Sequence, residues 1–132
     1  MIFTITGEPR GKQRPRVTTR GGYAHAYTPT ETTAYEKRIK YGYVMQGGRK
    51  IDGPIKLELW AFLQIPKSIS KKRAKEMEGA PCTKKPDADN ILKIVMDALN
   101  GTAYSDDKQV ALAVIHKNYW PEGKLVVDIK EY

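Results

Sequence analysis

Lys84-Lys85-Pro86-Asp87-Ala88-Asp89-Asn90-Ile91-Leu92-Lys93-Ile94-Val95-Met96-Asp97-Ala98-Leu99-Asn100-Gly101, closed by Tyr104-Ser105-Asp106-Asp107, is the stretch on which the reading of this chain turns. Asp87, Asp89, Asp97, Asp106 and Asp107 are five of fifteen acidic residues in a chain that carries 23 lysines and arginines and a net charge of +8. Crowded carboxylates repel one another, so a fold gathers them at a cost unless a cation holds them. Pro86 favours an extended Lys85, and an extended continuation through Asp87-Ala88-Asp89 would point both carboxylates to one side. Asp89 or Asn90 then caps a helix. Ile91, Leu92, Ile94, Val95, Met96, Ala98 and Leu99 bury most of that helix, which leaves Asn90, Lys93, Asp97 and Asn100 as its one polar stripe. Such a stripe belongs at a wet cleft. Gly101 ends the helix, and Asp106-Asp107 arrives just before the next strand.

The flanks supply a sheet. Residues 54–65 alternate, with Ile55, Leu57, Leu59, Ala61, Leu63 and Ile65 against Lys56, Glu58, Trp60, Phe62 and Gln64, and Pro66 stops the strand. Trp60 and Phe62 imply that the second face is covered as well, by a helix or a second subunit. Ser68 or Ser70 caps a short helix over 71–78. Its three leading cations oppose the helix dipole. Beyond the acidic stretch, 109–119 reads as a strand with Val110, Leu112 and Val114 facing one way. A turn at 120–123 leads into a last strand bearing Leu125, Val127 and Ile129, and His116 and Lys117 are expected to be exposed.

Towards the N-terminus, residues 1–6 form a strand that ends at Gly7. Residues 8–16 hold four cations broken by prolines and glycines, which makes an extended basic loop. A small hairpin follows around Gly21-Gly22. Together 8–27 read as an arm for nucleic acid, with Lys12, Arg14, Arg16 and Arg20 on phosphates and Tyr23, His25 and Tyr27 available to stack. His25 has no Cys or second His at ligand spacing and is not read as a metal ligand. Thr28 caps the next helix, Pro29 takes its first position, Glu31 completes a capping box, and Gly47-Gly48 end it. Tyr35, Ile39, Tyr43 and Met45 are its packing residues, while Lys37, Arg38 and Lys40 reach either phosphate or water. No repeat or linker interrupts the 132 residues, so one α+β domain is expected, a mixed sheet flanked by about three helices.

The basic balance points to a phosphate-rich partner. Cys82 is alone, which excludes an internal disulfide and favours a reducing compartment. No segment has the length or apolarity of a signal peptide or a membrane span, so a cytoplasmic protein without membrane partner or small-molecule cofactor is expected. In such a protein the acidic stretch suits Mg²⁺, which takes one or two carboxylates, keeps several waters and leaves room for phosphate oxygens. Two or three carboxylates can hold one or two ions across a scissile phosphodiester, and Lys93 can orient water or stabilise developing charge. A calcium loop of the EF-hand type does not fit, because Leu92 stands at its turn glycine and no glutamate closes it. The structural alternative makes Asp89 a helix cap and Asp106-Asp107 a turn.

The series Lys85-Pro86-Asp87-x-Asp89-Asn90-x-x-Lys93-x-x-x-Asp97-Ala98-Leu99-Asn100-Gly101, followed by Asp106-Asp107-x-Gln109-Val110, resembles the RusA family of Holliday junction resolvases of bacteria, their phages and prophages. Gly11-Lys12-Gln13-Arg14-Pro15-Arg16 and Tyr27-Thr28-Pro29 extend the resemblance over most of the chain. It implies a homodimer that uses Mg²⁺, with Mn²⁺ able to substitute, to place paired symmetric nicks in four-way DNA during recombination and repair. It also implies metal-binding carboxylates at Asp87, Asp89 and one of Asp106 and Asp107, with Lys93 as the assisting lysine. The family pattern favours Asp107, the nearer to the following strand. Asp97 matches a recurrent family position without an assigned role, and Tyr104-Ser105 stand where many members carry Trp and another residue. Lys84 and Lys85, beside the motif, join the arm as DNA ligands over an acidic motif spanning 84–107. A fold that has kept DNA binding but lost cutting, or a nuclease for other branched or RNA substrates, are the alternatives.

Overall fold

Alternating apolar residues lay down the sheet, and two helices close one face of it. The strands are β1 (Ile2–Thr6), β2 (Arg16–Thr18), β3 (His25–Tyr27), β4 (Ile55–Gln64), β5 (Val110–Trp120) and β6 (Lys124–Glu131). The helices are α1 (Thr30–Met45), α2 (Lys71–Met77) and α3 (Ala88–Leu99). This computed structural model describes residues 1–14, 16–22, 24–27 and 29–132. Tyr23 and the expected cap Thr28 lie outside these residues, as do the side chains of Arg16, Thr18, Arg20, His25 and Tyr27. Among the described residues no helix is long and apolar enough to cross a membrane.

The four-stranded sheet runs β1-β6-β4-β5, with β4 and β5 parallel and the other pairs antiparallel. A parallel pair needs a crossover, and the chain between β4 and β5 supplies it with α2 and α3. Ile55, Leu57, Leu59, Ala61 and Leu63 of β4 are all buried, as are Leu125, Val127 and Ile129 of β6 and Phe3 and Ile5 of β1. Against them lie Tyr35, Ile39 and Tyr43 of α1 and Ile91, Ile94, Val95 and Leu99 of α3. Each such aliphatic side chain contributes about 1.5–3 kcal/mol by leaving water. β2 and β3 pair as the expected hairpin. Its turn requires positive φ at Gly21 (73°) and Gly22 (81°).

Several local expectations need correction. Pro29 is the N-cap position of α1 rather than its first helical residue. Met45 is 81% exposed, because two residues beyond Tyr43 it falls on the opposite side of α1 from the buried face of Tyr35, Ile39 and Tyr43. Of the two serines, Ser70 caps α2, its hydroxyl accepting from the Arg73 N–H at 3.3 Å. The register shifts between Ile55 and Lys56, so Val110 pairs with Ile55 while Leu112 pairs with Lys56. Val110, Ile115 and Tyr119 therefore pack on the core, whereas Leu112 and Val114 align with Lys56 and Glu58 of the other face. On that face the aromatic side chains cover one another. Trp60 stacks on His116 (5.4 Å between centroids), and Phe62 meets Trp120 with Lys124 over both rings. His116, expected in solvent, is half-buried with Nε2 2.8 Å from Glu58 Oε2.

Candidate active site

α3 begins earlier than the sequence suggested, and that decides how its carboxylates point. Directly after Pro86 the Asp87 carbonyl accepts from the N–H groups of Asn90 and Ile91, both at 3.1 Å. Asp87 is thus the N-cap position and Asp89 lies in the first helical turn, where a negative charge complements the helix dipole. The expected extended Asp87-Ala88-Asp89 segment, with both carboxylates on one side, is not what forms. Instead Asp89, Lys93 and Asp97, spaced by four, run down one helical face. With Leu92, Met96 and Asp107 they line a hollow of about 190 Å³. Asp87 lines the adjoining groove with Lys85 and the arm.

The Asp106-Asp107 step divides its labour. The exposed Asp106 caps a short 3-10 turn over Asp107–Gln109, accepting the Lys108 N–H at 2.9 Å, and Gln109 Oε1 accepts from the Ser105 and Asp106 N–H groups. The Lys108 amide holds the Asp106 carboxyl below its ordinary value. Asp107, half-buried, is the member of the pair that lines the hollow. Behind it Tyr104 is fully buried and donates to the Met96 carbonyl at 2.6 Å, which ties the acidic loop to α3. Burial raises the Tyr104 hydroxyl's pKa, as do the charges of Asp107 and Asp97.

The arm enters the site. The Lys12 N–H donates to the Asn90 carbonyl at 2.8 Å. A Cβ on Gly11 would come within 2.9 Å of the Pro86 Cβ and 3.0 Å of the Asn90 Cβ, so glycine permits this approach. Lys12 Nζ lies 2.5 Å from Glu36 Oε1 of α1 and 3.2 Å from Asp97 Oδ2, and Lys93 Nζ lies 3.8 Å from the same Asp97 oxygen. Lys12, expected on DNA phosphates, has its ammonium committed to two internal carboxylates. Its signal in the sequence was only one cation among several, and nothing local marked Glu36 or Asp97 as its partners.

Burial lowers the Lys12 pKa, but the hydrogen bonds to Glu36 and Asp97 outweigh it and the net shift is upward from 10.5. A raised folded pKa means stability that is full below the unfolded value and lost as pH climbs through the folded one. Lys12→Met is therefore expected to lower stability at neutral pH by about 1 kcal/mol or slightly more. The difference from the unaltered chain should shrink as pH rises beyond 10.5, read by urea denaturation across pH. A difference that grows with alkalinity would contradict the pairing.

The remaining expected DNA ligands are scattered. Lys84 Nζ is 3.2 Å from Glu8 Oε2 and 3.3 Å from the Gln64 carbonyl. Arg14 and Lys85 are exposed, and the side chains of Arg16 and Arg20 lie outside the described residues. No group of three or more His, Cys, Asp or Glu is gathered to hold a metal ion among the described residues. A Mg²⁺ site needs less than that, one or two carboxylates with water and phosphate completing the shell. Asp89 and Asp107 line one open hollow, and Asp97 beside them is paired with two lysines.

Residues 6–130 match the family model described as Endodeoxyribonuclease RusA. The chain is also similar to the uncharacterized protein YqaN of Bacillus subtilis (strain 168), 36% identical over 137 residues that cover 98% of this chain and 94% of that protein.

Proposed function

This chain belongs to the endodeoxyribonuclease RusA family, and from that premise we propose that it resolves four-way DNA junctions by paired symmetric nicks, as a Mg²⁺-dependent homodimer in the cytoplasm. The observation that carries the reading is the hollow in which Asp89, Lys93, Asp97 and Asp107 meet beside a basic arm. Asp89 and Asp107 hold the divalent ion, with Asp87 reaching in from the adjoining groove, and Mn²⁺ can replace Mg²⁺. When bound, the ion supplies Lewis acidity at the phosphate and makes water a better nucleophile.

The chain's own residues do the rest. Lys93 places its ammonium against the phosphate oxygens that gain charge in the transition state. Asp97 keeps that ammonium over the hollow, and Lys12 in turn anchors Asp97. Leu92 and Met96 give the hollow an apolar wall, which lowers the local dielectric and strengthens both charges. The arm's cations take DNA phosphates, so affinity falls steeply with salt. A junction has two-fold symmetry, and two equivalent sites in a dimer match it.

The test is a synthetic four-way junction incubated with the protein and Mg²⁺ or Mn²⁺, its products mapped to the nucleotide. Symmetric paired nicks are expected. Binding without cutting in either metal would leave a DNA-binding module, and random nicking of duplex would remove the junction from the account.

A further inference from the structure

We propose that a hollow between Arg10 of the arm and Arg38 of α1 is a second phosphate seat, taking a backbone phosphate of the bound DNA other than the one being cut. The proposal rests on the reading that this chain binds DNA. The hollow, about 200 Å³, is lined by Arg10, Glu31, Ala34, Tyr35 and Arg38. Tyr35 is 2% exposed, and its hydroxyl proton has no acceptor. The larger groove of about 500 Å³ that holds Asp87 shares Arg10 and Glu31 with this hollow. That groove has its own buried hydroxyl without a partner, on Thr32. Two residues whose hydroxyl protons have no acceptor thus line one trough, and Arg10 lines it with them.

Buried polar groups in folded proteins are nearly always bonded, and an orphaned donor costs free energy that an acceptor-rich ligand can return. Burial pushes the Tyr35 hydroxyl up to about 12, with the Arg10 backbone amide and the charges of Arg38 and Arg10 pulling it down, so it keeps its proton at neutral pH and remains a donor. The guanidinium of Arg38 is held in place, donating to the Thr6 carbonyl and lying 5.8 Å from the Tyr35 ring centroid. Planar guanidinium forks beside a neutral donor match the oxygens of a phosphodiester. Glu31 is the one carboxylate in the lining. It weakens the seat for a free anion, whereas a strand held at several other phosphates tolerates it. Arg10 and Glu31 join the seat to the groove of Asp87, so a strand lying in that groove can reach it.

The experiment is anisotropy titration of labelled four-way DNA in EDTA, where no cutting intervenes, at several salt concentrations. Arg10→Gln is expected to weaken binding several-fold and to reduce the slope of log Kd against log salt by about 1. Tyr35→Phe should weaken binding a few-fold at unchanged slope and nearly unchanged melting temperature, because the hydroxyl proton has no acceptor in the free protein. Glu31→Gln should tighten it. Lys40→Gln removes the same charge from a position turned away from Arg38 on α1 and should change little. If Lys40→Gln weakens binding as much as Arg10→Gln, or if Tyr35→Phe leaves affinity untouched, the seat is overturned while DNA binding stands. An unaltered chain that binds no DNA overturns both this seat and the reading beneath it.

Discussion

Asp89→Asn gives a protein that binds a four-way junction as the unaltered chain does and fails to cut it. The substitution keeps the side chain's size and removes one negative charge from the first turn of α3, where no core packing depends on it, since Asp89 is exposed. The expected fall in single-turnover cleavage is roughly 10²–10³-fold, the scale of losing one group that organises charge in a transition state. Binding, measured by gel shift on the same preparation, is unchanged or tighter, because a carboxylate has been taken from beside a polyanion. Asp107→Asn should behave alike. Asp106→Asn should cut within about an order of magnitude of normal, a loss of up to about 1.4 kcal/mol in barrier terms, because its carboxylate caps a turn and does not line the hollow. Equal loss in Asp106→Asn and Asp107→Asn would move the site to the loop as a whole.

Tyr104→Ala is expected to be the most damaging single change to the fold around the site. The ring is fully buried and closes the space between the end of α3 and the loop that carries Asp107. Emptying it should cost about 3–5 kcal/mol, as deletion of a buried aromatic does. Tyr104→Phe keeps the ring and removes only the bond to the Met96 carbonyl, for about 1 kcal/mol. Urea denaturation separates the two. Cutting by the Phe variant, measured where it is fully folded, should fall modestly as Asp107 loosens. A Phe variant as unstable as the Ala variant would mean that the hydroxyl, not the packed ring, holds the loop.

Strand positions and the buried helix were legible because each rests on a local period. β4 and β6 alternate cleanly, and the apolar run from Ile91 to Leu99 has only one place to put its charges. Where tertiary contacts choose between local options, the sequence misleads. Pro86 favours an extended Lys85, and a continuation of that extension is the local expectation, yet the Asp87 carbonyl closes a helical turn at once, and Asp89 moves onto the stripe with Lys93 and Asp97. The faces of β5 depend on a register shift opposite Ile55 that no residue type announces. Lys12 looked like any other arm cation, since its partners Glu36 and Asp97 lie far along the chain. That Asp107 rather than Asp106 lines the hollow shows only in the fold, where the Asp106 carboxylate turns to the Lys108 N–H and Gln109 closes the capping box.

The position of β6 between β1 and β4 bears on when during synthesis the arm can reach its seat. β1, although translated first, has no neighbour in the sheet until β6 has emerged from the ribosome. The arm that follows β1 can hardly settle on Asn90 before then, because pairings so distant in sequence form late. A half-made chain therefore carries Asp97 without the Lys12 ammonium that pairs with it in the finished fold.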